Sequence, residues 1–310
     1  MRILVWCCVI IFNDHHFIIT QNMLNNKQYP FKPKKISING HTLSYLDEGE
    51  GSPIVMLHGN PTWSFYYRNL ASLLRKNYRV IVPDHMGCGL SDKPQDYPYL
   101  LETHIDNVEK LLTELGIERF SLVVHDWGGA IGMGVAARKP DRIESFVVMN
   151  TAAFHSQRIP LRISLCRIPV LGDIIVRGFN GFAKGAITMA VTKKMRPEIA
   201  RGYIAPYDSW KNRIAVLRFV QDIPLSPKDK SWDTLGAIEK SLKQFKNIPM
   251  LVLWGGKDFC FNRHFYDEWL QRFPGAEGHF FSEAGHYVLE DALDRLAPLI
   301  TTFFQKHCKV

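Results

Sequence analysis

Several features that define common protein classes are missing from this chain of 310 residues. Its six cysteines (Cys7, Cys8, Cys88, Cys166, Cys260 and Cys308) form no C-x-x-C pair and show no metal-ligand spacing with histidine. That argues against zinc and redox motifs, and a disulfide framework does not suit a chain of this size. No internal repeat or low-complexity tract is present. The apolar run Ile3–Phe12 in "MRILVWCCVIIF" is too short to span a bilayer. It resembles the core of a signal peptide, but "NDHHFIITQ" follows it without a small-residue cleavage site. Either residues 1–22 are a targeting segment or the start is assigned too early, with Met23 the true start.

Basic residues outnumber acidic ones most strongly in one region. The net charge is +8, yet residues 152–230 hold fourteen Lys and Arg against five Asp and Glu, which leaves the rest near neutral. The basic residues there lack the interleaved aromatics of a nucleic-acid surface, so no nucleic-acid partner is expected. A solvated basic surface that could join subunits fits better.

What is present is a strand–helix alternation. "PKKISINGHTLSYLDE" (34–49) reads as two strands about an Asn39-Gly40 turn. Apolar strand runs follow at 53–59, 78–84, 120–126, 143–150, 248–256 and 277–282. Helical spacing appears in "SFYYRNLASLLRK", at 101–117, at 127–140 and from about Leu289 to Gln305. This alternation predicts an α/β fold, a mostly parallel sheet with helices on both faces. The expected organisation is an N-terminal apolar segment at 1–30, a core from 31–153 and 231–310, and a helical cap insertion at 154–230. The cap would lie over the carboxyl ends of the strands, where open α/β sheets bind ligands.

The chemistry concentrates in "SLVVHDWGGAIG" (121–132). This has the form of a nucleophile elbow, a sharp strand-to-helix turn whose neighbours must be small. The nucleophile slot holds Asp126 rather than serine. Gly128 and Gly129 relieve crowding, and Ala130 and Gly132 let the helix pack closely. The partners expected downstream are an acid and then a histidine. "LWGGKDF" supplies Asp258 after a strand, and "FSEAGHYVLED" supplies His286 in a loop. His58 and His125 read as structural. In "HGNPTW", the backbone N–H of Asn60 joins that of Trp127 as an oxyanion hole. Their side chains, an amide and an indole, are two neutral donors suited to a soft monovalent anion. A carboxylate nucleophile is ionised at neutral pH and needs no base for its first attack.

These residues resemble a known family. The core looks like an α/β-hydrolase, and "HGNPTWSFYYRNL", "PDHMGCGLSDKP", "VVHDWGGAIG", "WGGKDF" and "EAGHYVLED" resemble haloalkane dehalogenases, as "FVQDIPLSP" does less specifically. The resemblance covers about residues 34–306. The Asn and Trp pair with an Asp acid is similar to the third of the commonly described subfamilies. It implies that Asp126 displaces halide from a haloalkane and that Asn60 and Trp127 bind the halide. His286, oriented by Asp258, then activates water to release a primary alcohol. It implies no cofactor and no metal, and no cofactor fingerprint is visible, since the glycines at 128, 129 and 132 belong to the elbow. Expected partners are a halogenated alkane, the halide product and possible further copies of the chain. Membrane association is left open. A cytoplasmic location is expected, or a periplasmic or membrane-associated one if residues 1–22 are a real targeting segment.

The alternative is an epoxide hydrolase with the same nucleophile, acid and histidine. It would need cap hydroxyls such as those of Tyr203 and Tyr207 to protonate the epoxide. Asn60 stands where that family usually carries a bulky aromatic. Trp127 stands where a fluoroacetate dehalogenase would typically carry arginine, and Asp126 excludes a serine esterase.

Overall fold

A computed structural model describes residues 28–308. The N-terminal apolar run with its two cysteines, and the alternative start at Met23, lie outside the described residues. Strands β1 (Lys34–Ile38) and β2 (His41–Glu48) form a hairpin in which Asn39 and Gly40 both have positive φ, the geometry of the tight two-residue turn. β3 (Pro53–Leu57) is followed by a 3₁₀ turn (Ser64–Tyr67) and helix α1 (Arg68–Leu74), so the helical spacing at 64–76 resolves into two pieces. Then come β4 (Arg79–Pro83), α2 (Leu101–Glu114), β5 (Phe120–His125), α3 (Trp127–Arg138) and β6 (Ile143–Met149). α3 stops two residues short of the expected end because Pro140 disfavours helix in the residue before it.

Between β6 and the next strand lie five α-helices, of which the first four build the insertion: α4 (Leu161–Arg167), α5 (Gly181–Met189), α6 (Pro197–Ile204) and α7 (Ile214–Gln221). Cys166, Val176, Ala183, Tyr207, Val216, Leu217 and Val220 give this insertion a small apolar core of its own. α8 (Trp232–Ser241) packs back on α3. The chain closes with β7 (Met250–Gly255), α9 (Arg263–Arg272), β8 (Glu277–Phe281), α10 (Val288–Asp291) and α11 (Leu293–His307). The expected closing helix is thus broken at Ala292, whose φ of −141° is not helical. α9 was not foreseen from the sequence, although Phe265, Tyr266, Trp269 and Leu270 follow helical spacing and face the core.

The eight strands form one sheet in the order β1-β2-β4-β3-β5-β6-β7-β8, antiparallel at β1-β2-β4 and parallel from there on. β5 lies near the middle with every residue buried. Its alternate side chains feed two cores: Leu122 and Val124 face α2 and α3, and Val123 faces α1 and α11. Each such fully buried aliphatic side chain contributes about 1.5–3 kcal/mol. A central strand packed on both faces is a rigid platform, and its carboxyl end carries Asp126. Among the described residues no helix is long and apolar enough to cross a membrane.

Candidate active site

Asp126 sits between β5 and α3 with φ 52° and ψ −128°, a conformation that L-residues seldom adopt. The surroundings hold it there. Its N–H donates to Asn150 O at 3.2 Å, its carbonyl accepts from Gly129 N at 3.0 Å, and Thr151 Oγ1 also donates to that carbonyl. The neighbours must be glycine for a measurable reason. A Cβ on Gly128 would lie 1.9 Å from Leu57 O, and one on Gly59 would lie 2.0 Å from the Asp126 carboxylate.

The carboxylate faces the other residues singled out from the sequence. Asn60 N–H donates to Asp126 Oδ1 at 2.7 Å, and the backbone N–H of Trp127 also stabilises the charge. His286 Nε2 is 3.5 Å from Asp126 Oδ2, and His286 Nδ1 is 2.7 Å from Asp258 Oδ2. Burial would raise the Asp126 pKa. The hydrogen bond and charge of His286 outweigh it, and the carboxyl ends below its ordinary value. Burial would likewise lower the pKa of His286. The charges and hydrogen bonds of Asp258 and Asp126 outweigh it and raise it well above the ordinary value. The two carboxylates that flank the imidazole therefore favour its protonated form.

The expected side-chain donors are placed differently from each other. Trp127 lines the cavity in front of Asp126. Asn60 Nδ2 donates one N–H to Val216 O of α7 at 3.0 Å, and its buried Oδ1 has no partner. Turning the amide over would set oxygen against oxygen, so the carbonyl of Val216 fixes the orientation. His58 and His125 make backbone contacts: His58 Nδ1 with Gly59 O, and His125 Nε2 with His286 O. Burial lowers the pKa of both and keeps them neutral.

Several residues escaped sequence reasoning. Asn150, fully buried at the end of β6, donates through Nδ2 to Asp258 Oδ2 at 2.9 Å and to Gly255 O at 3.1 Å. Its Oδ1 accepts from Gly255 N at 2.8 Å, so it fastens the acid to β7. The available signal was an amide side chain ending a central strand. Cys260, whose N–H donates to Asp258 Oδ1 at 2.7 Å, lines the cavity beside Asp126. Burial, and then the charges of Asp258 and Asp126, push its thiol well up, so it stays neutral. Tyr203 and Tyr207, the cap hydroxyls that an epoxide hydrolase would need, point elsewhere. Tyr203 donates to Glu290 at 2.5 Å and Tyr207 to Thr62 O at 3.2 Å, and neither lines the cavity at Asp126.

Two apolar lobes meet at this carboxylate. Asn60, Asp126, Ile163, Phe182 and Cys260 line both. The first lobe, about 880 Å³ with its mouth included, runs along Trp127, Ala130, Ala152, Phe154, Leu235 and Phe261. The second, about 750 Å³, runs along Cys166, Ile175, Ala186, Met189, Ala190 and Tyr287, with His286 at its base.

Comparison with known proteins places the chain among relatives of the same fold. A family described as "alpha/beta hydrolase fold" matches residues 52–164. A cis-3-alkyl-4-alkyloxetan-2-one decarboxylase of Shewanella oneidensis is 50% identical over 281 residues, 88% of each chain. A haloalkane dehalogenase of Mycolicibacterium paratuberculosis is 32% identical, covering 91% of this chain and 95% of its own. The solved haloalkane dehalogenase DatA of Agrobacterium tumefaciens superposes with a TM-score of 0.80 at 25% identity, over 89% of this chain and 96% of its own. The chain belongs to the α/β-hydrolase family, as an enzyme of the haloalkane dehalogenase-like type.

Proposed function

We propose that this enzyme opens a cis-3,4-dialkyl oxetan-2-one, a four-membered β-lactone, and releases carbon dioxide and a cis-alkene. The observation that carries the reading is the pair of apolar lobes that share Asp126 in their walls. A substrate with two alkyl arms on adjacent carbons fills both lobes and sets its ring at the carboxylate. The 50% identical relative named for that substrate supports it.

The residues suit the chemistry. Asp126 Oδ attacks the ring carbon that bears the ring oxygen, inverting it. The C–O bond breaks, its electron pair goes to oxygen, and ring strain is released. The leaving group is then a carboxylate still attached to the adjacent carbon. Trp127 Nε1 and the remaining N–H of Asn60 are the donors that would receive it. That carboxylate next loses carbon dioxide. The electron pair of the C–C bond forms the alkene, and Asp126 departs as a carboxylate. Inversion followed by anti elimination leaves both alkyl groups on one side, so a cis-lactone gives a cis-alkene. No water is consumed and no proton moves. The role of His286 is electrostatic: its imidazolium favours the ionised form of Asp126 and stabilises it as it leaves.

A second reading is dehalogenation of a haloalkane to an alcohol by the same attack, with halide as the leaving group. The neutral Asn60 and Trp127 donors and the 32% identical dehalogenase favour it. Here water must cleave the ester on Asp126, and His286 must act as base. Alkylation of Asp126 removes one of the two negative charges that raise the His286 pKa, which would free it for that task. An Asp258 acid and an Asn–Trp halide pair would then place the chain in the third dehalogenase subfamily.

One experiment separates the two. The purified protein is given a cis-3,4-dialkyl oxetan-2-one and, separately, a 1-bromoalkane of matching length. Carbon dioxide and cis-alkene from the first, at a rate well above bromide release from the second, is the expected result. Fast bromide release with an untouched lactone would overturn the first reading in favour of the second.

A further inference from the structure

The cap carries apolar side chains that stand exposed among the described residues. Leu161, Val170 and Phe179 are 74%, 70% and 69% exposed, and Leu165, Ile168 and Ile174 are exposed as well. A monomeric protein seldom concentrates this many large apolar side chains in one solvent-facing stretch. Val170 adds a second oddity. Its φ is +66°, a region that costs a β-branched residue free energy, and in return it buries almost nothing.

Charge and position narrow the choice of what would cover this surface. From 158 to 196 the chain has eight Lys and Arg and only Asp173 as an acid. Arg167 and Arg177 are paired with Asp229 and Asp173. Arg158, Arg162, Lys184 and Lys194 are exposed, and none is within ion-pair distance of a carboxylate among the described residues. The same segment walls the cavity. On α4, Ile163 and Cys166 face inward and line the lobes, while Leu161 and Leu165 of the same helix face solvent. Arg158, Ile159 and Pro160 also line the first lobe, and Arg162 the second.

We infer that this cap face docks on an anionic lipid surface and takes apolar substrate directly from it. Exposed aliphatic and aromatic side chains enter the interface, and the unpaired cations meet lipid phosphates. A molecule with two alkyl arms partitions into lipid rather than water. Access at the docked face would carry it into the lobes without crossing the aqueous phase. The docking itself rests only on the cap surface and holds for any apolar substrate, so its test does not use the reaction.

The full chain is mixed with vesicles of phosphatidylethanolamine with 30% phosphatidylglycerol, or of phosphatidylcholine alone, and the bound fraction is read by flotation. Residues 1–27 are kept in every variant, so any contribution of theirs is constant. Binding to the anionic vesicles is expected to exceed binding to neutral ones at least tenfold and to fall at 0.5 M salt. The triple variant Leu161→Ser/Val170→Asn/Phe179→Ser should lose at least tenfold while keeping the wild-type unfolding temperature. Val170→Asn alone places a residue that tolerates positive φ at that position, so its folding is secure, and it should lower binding about threefold. Equal binding by wild type and the triple variant overturns the inference, as does absence of flotation. So does a concentration-dependent dimer that the triple variant abolishes without any vesicle binding, since the surface would then belong to a second copy of the chain.

Discussion

Replacing His286 with alanine should slow the enzyme without stopping it if no water takes part. The size of the effect follows from geometry. His286 Nε2 stands 3.5 Å from Asp126 Oδ2, and both side chains are largely buried. At an effective dielectric near 20, unit charges at that separation attract by about 5 kcal/mol, a ceiling for this pair. A transition state in which Asp126 regains half its charge keeps about half of that, roughly 2.4 kcal/mol. Its loss corresponds to about a 50-fold fall in the rate of alkene formation. The variant should still fold, because Asp258 keeps its hydrogen bonds from Cys260 N and Asn150 Nδ2.

The assay pairs a headspace measurement of carbon dioxide with intact-protein mass. With a cis-3,4-dialkyl oxetan-2-one, His286→Ala should release carbon dioxide continuously and carry no stoichiometric adduct. If His286 is instead a general base for hydrolysis, its removal costs about 10²–10⁴-fold. The variant would then release one equivalent of halide from a bromoalkane and stall as an alkyl ester of Asp126. A stalled adduct formed from the lactone, without alkene, would refute the electrostatic role argued for His286.

Three further outcomes follow from the same geometry. Asn150→Ala removes both ends of the link between Asp258 and Gly255: the buried Gly255 N–H loses its acceptor Asn150 Oδ1, and the Gly255 carbonyl keeps only the long contact from Asp258 N at 3.4 Å; a loss of about 1–3 kcal/mol in urea unfolding, with a lower kcat, is expected. His286 has a raised pKa in the folded state, so its stabilising contribution is fully present below its unfolded value of about 6.5 and is lost as pH rises through the folded value. The stability gap between wild type and His286→Ala should therefore shrink as pH rises above about 6.5, and a gap that widens would contradict the assigned charge state. Ala152 lines only the first lobe and Ala186 only the second, so Ala152→Leu and Ala186→Phe should each impair substrates lengthened on one alkyl arm, and opposite arms, when kcat/KM is compared across asymmetric lactones.

How far the sequence could be read depends on whether a residue's role is local. The elbow was legible because it is written in consecutive residues: the apolar alternation of β5 fixes the platform, and Gly128 and Gly129 remove the Cβ atoms that would strike Leu57 O and Thr151. Asp258 and His286 were legible because each ends or follows a strand run whose order the parallel sheet imposes. Asn150 was not, since its role appears only when β6 and β7 lie side by side and its amide reaches Gly255 and Asp258 together. The lobes were invisible for the same reason on a larger scale. Ile163 and Phe182 belong to cap helices whose spacing is interrupted by prolines and glycines, and no periodicity says which of their faces meets Asp126. That distinction bears directly on function. On the proposed reading the local motif aims a carboxylate at a saturated carbon with an anionic leaving group, and a carbon–halogen bond and a strained ring C–O bond answer that description equally well. The choice between them lies in the shape enclosing Asp126, where two apolar lobes share that carboxylate and offer room for two arms, while a simple haloalkane needs only one.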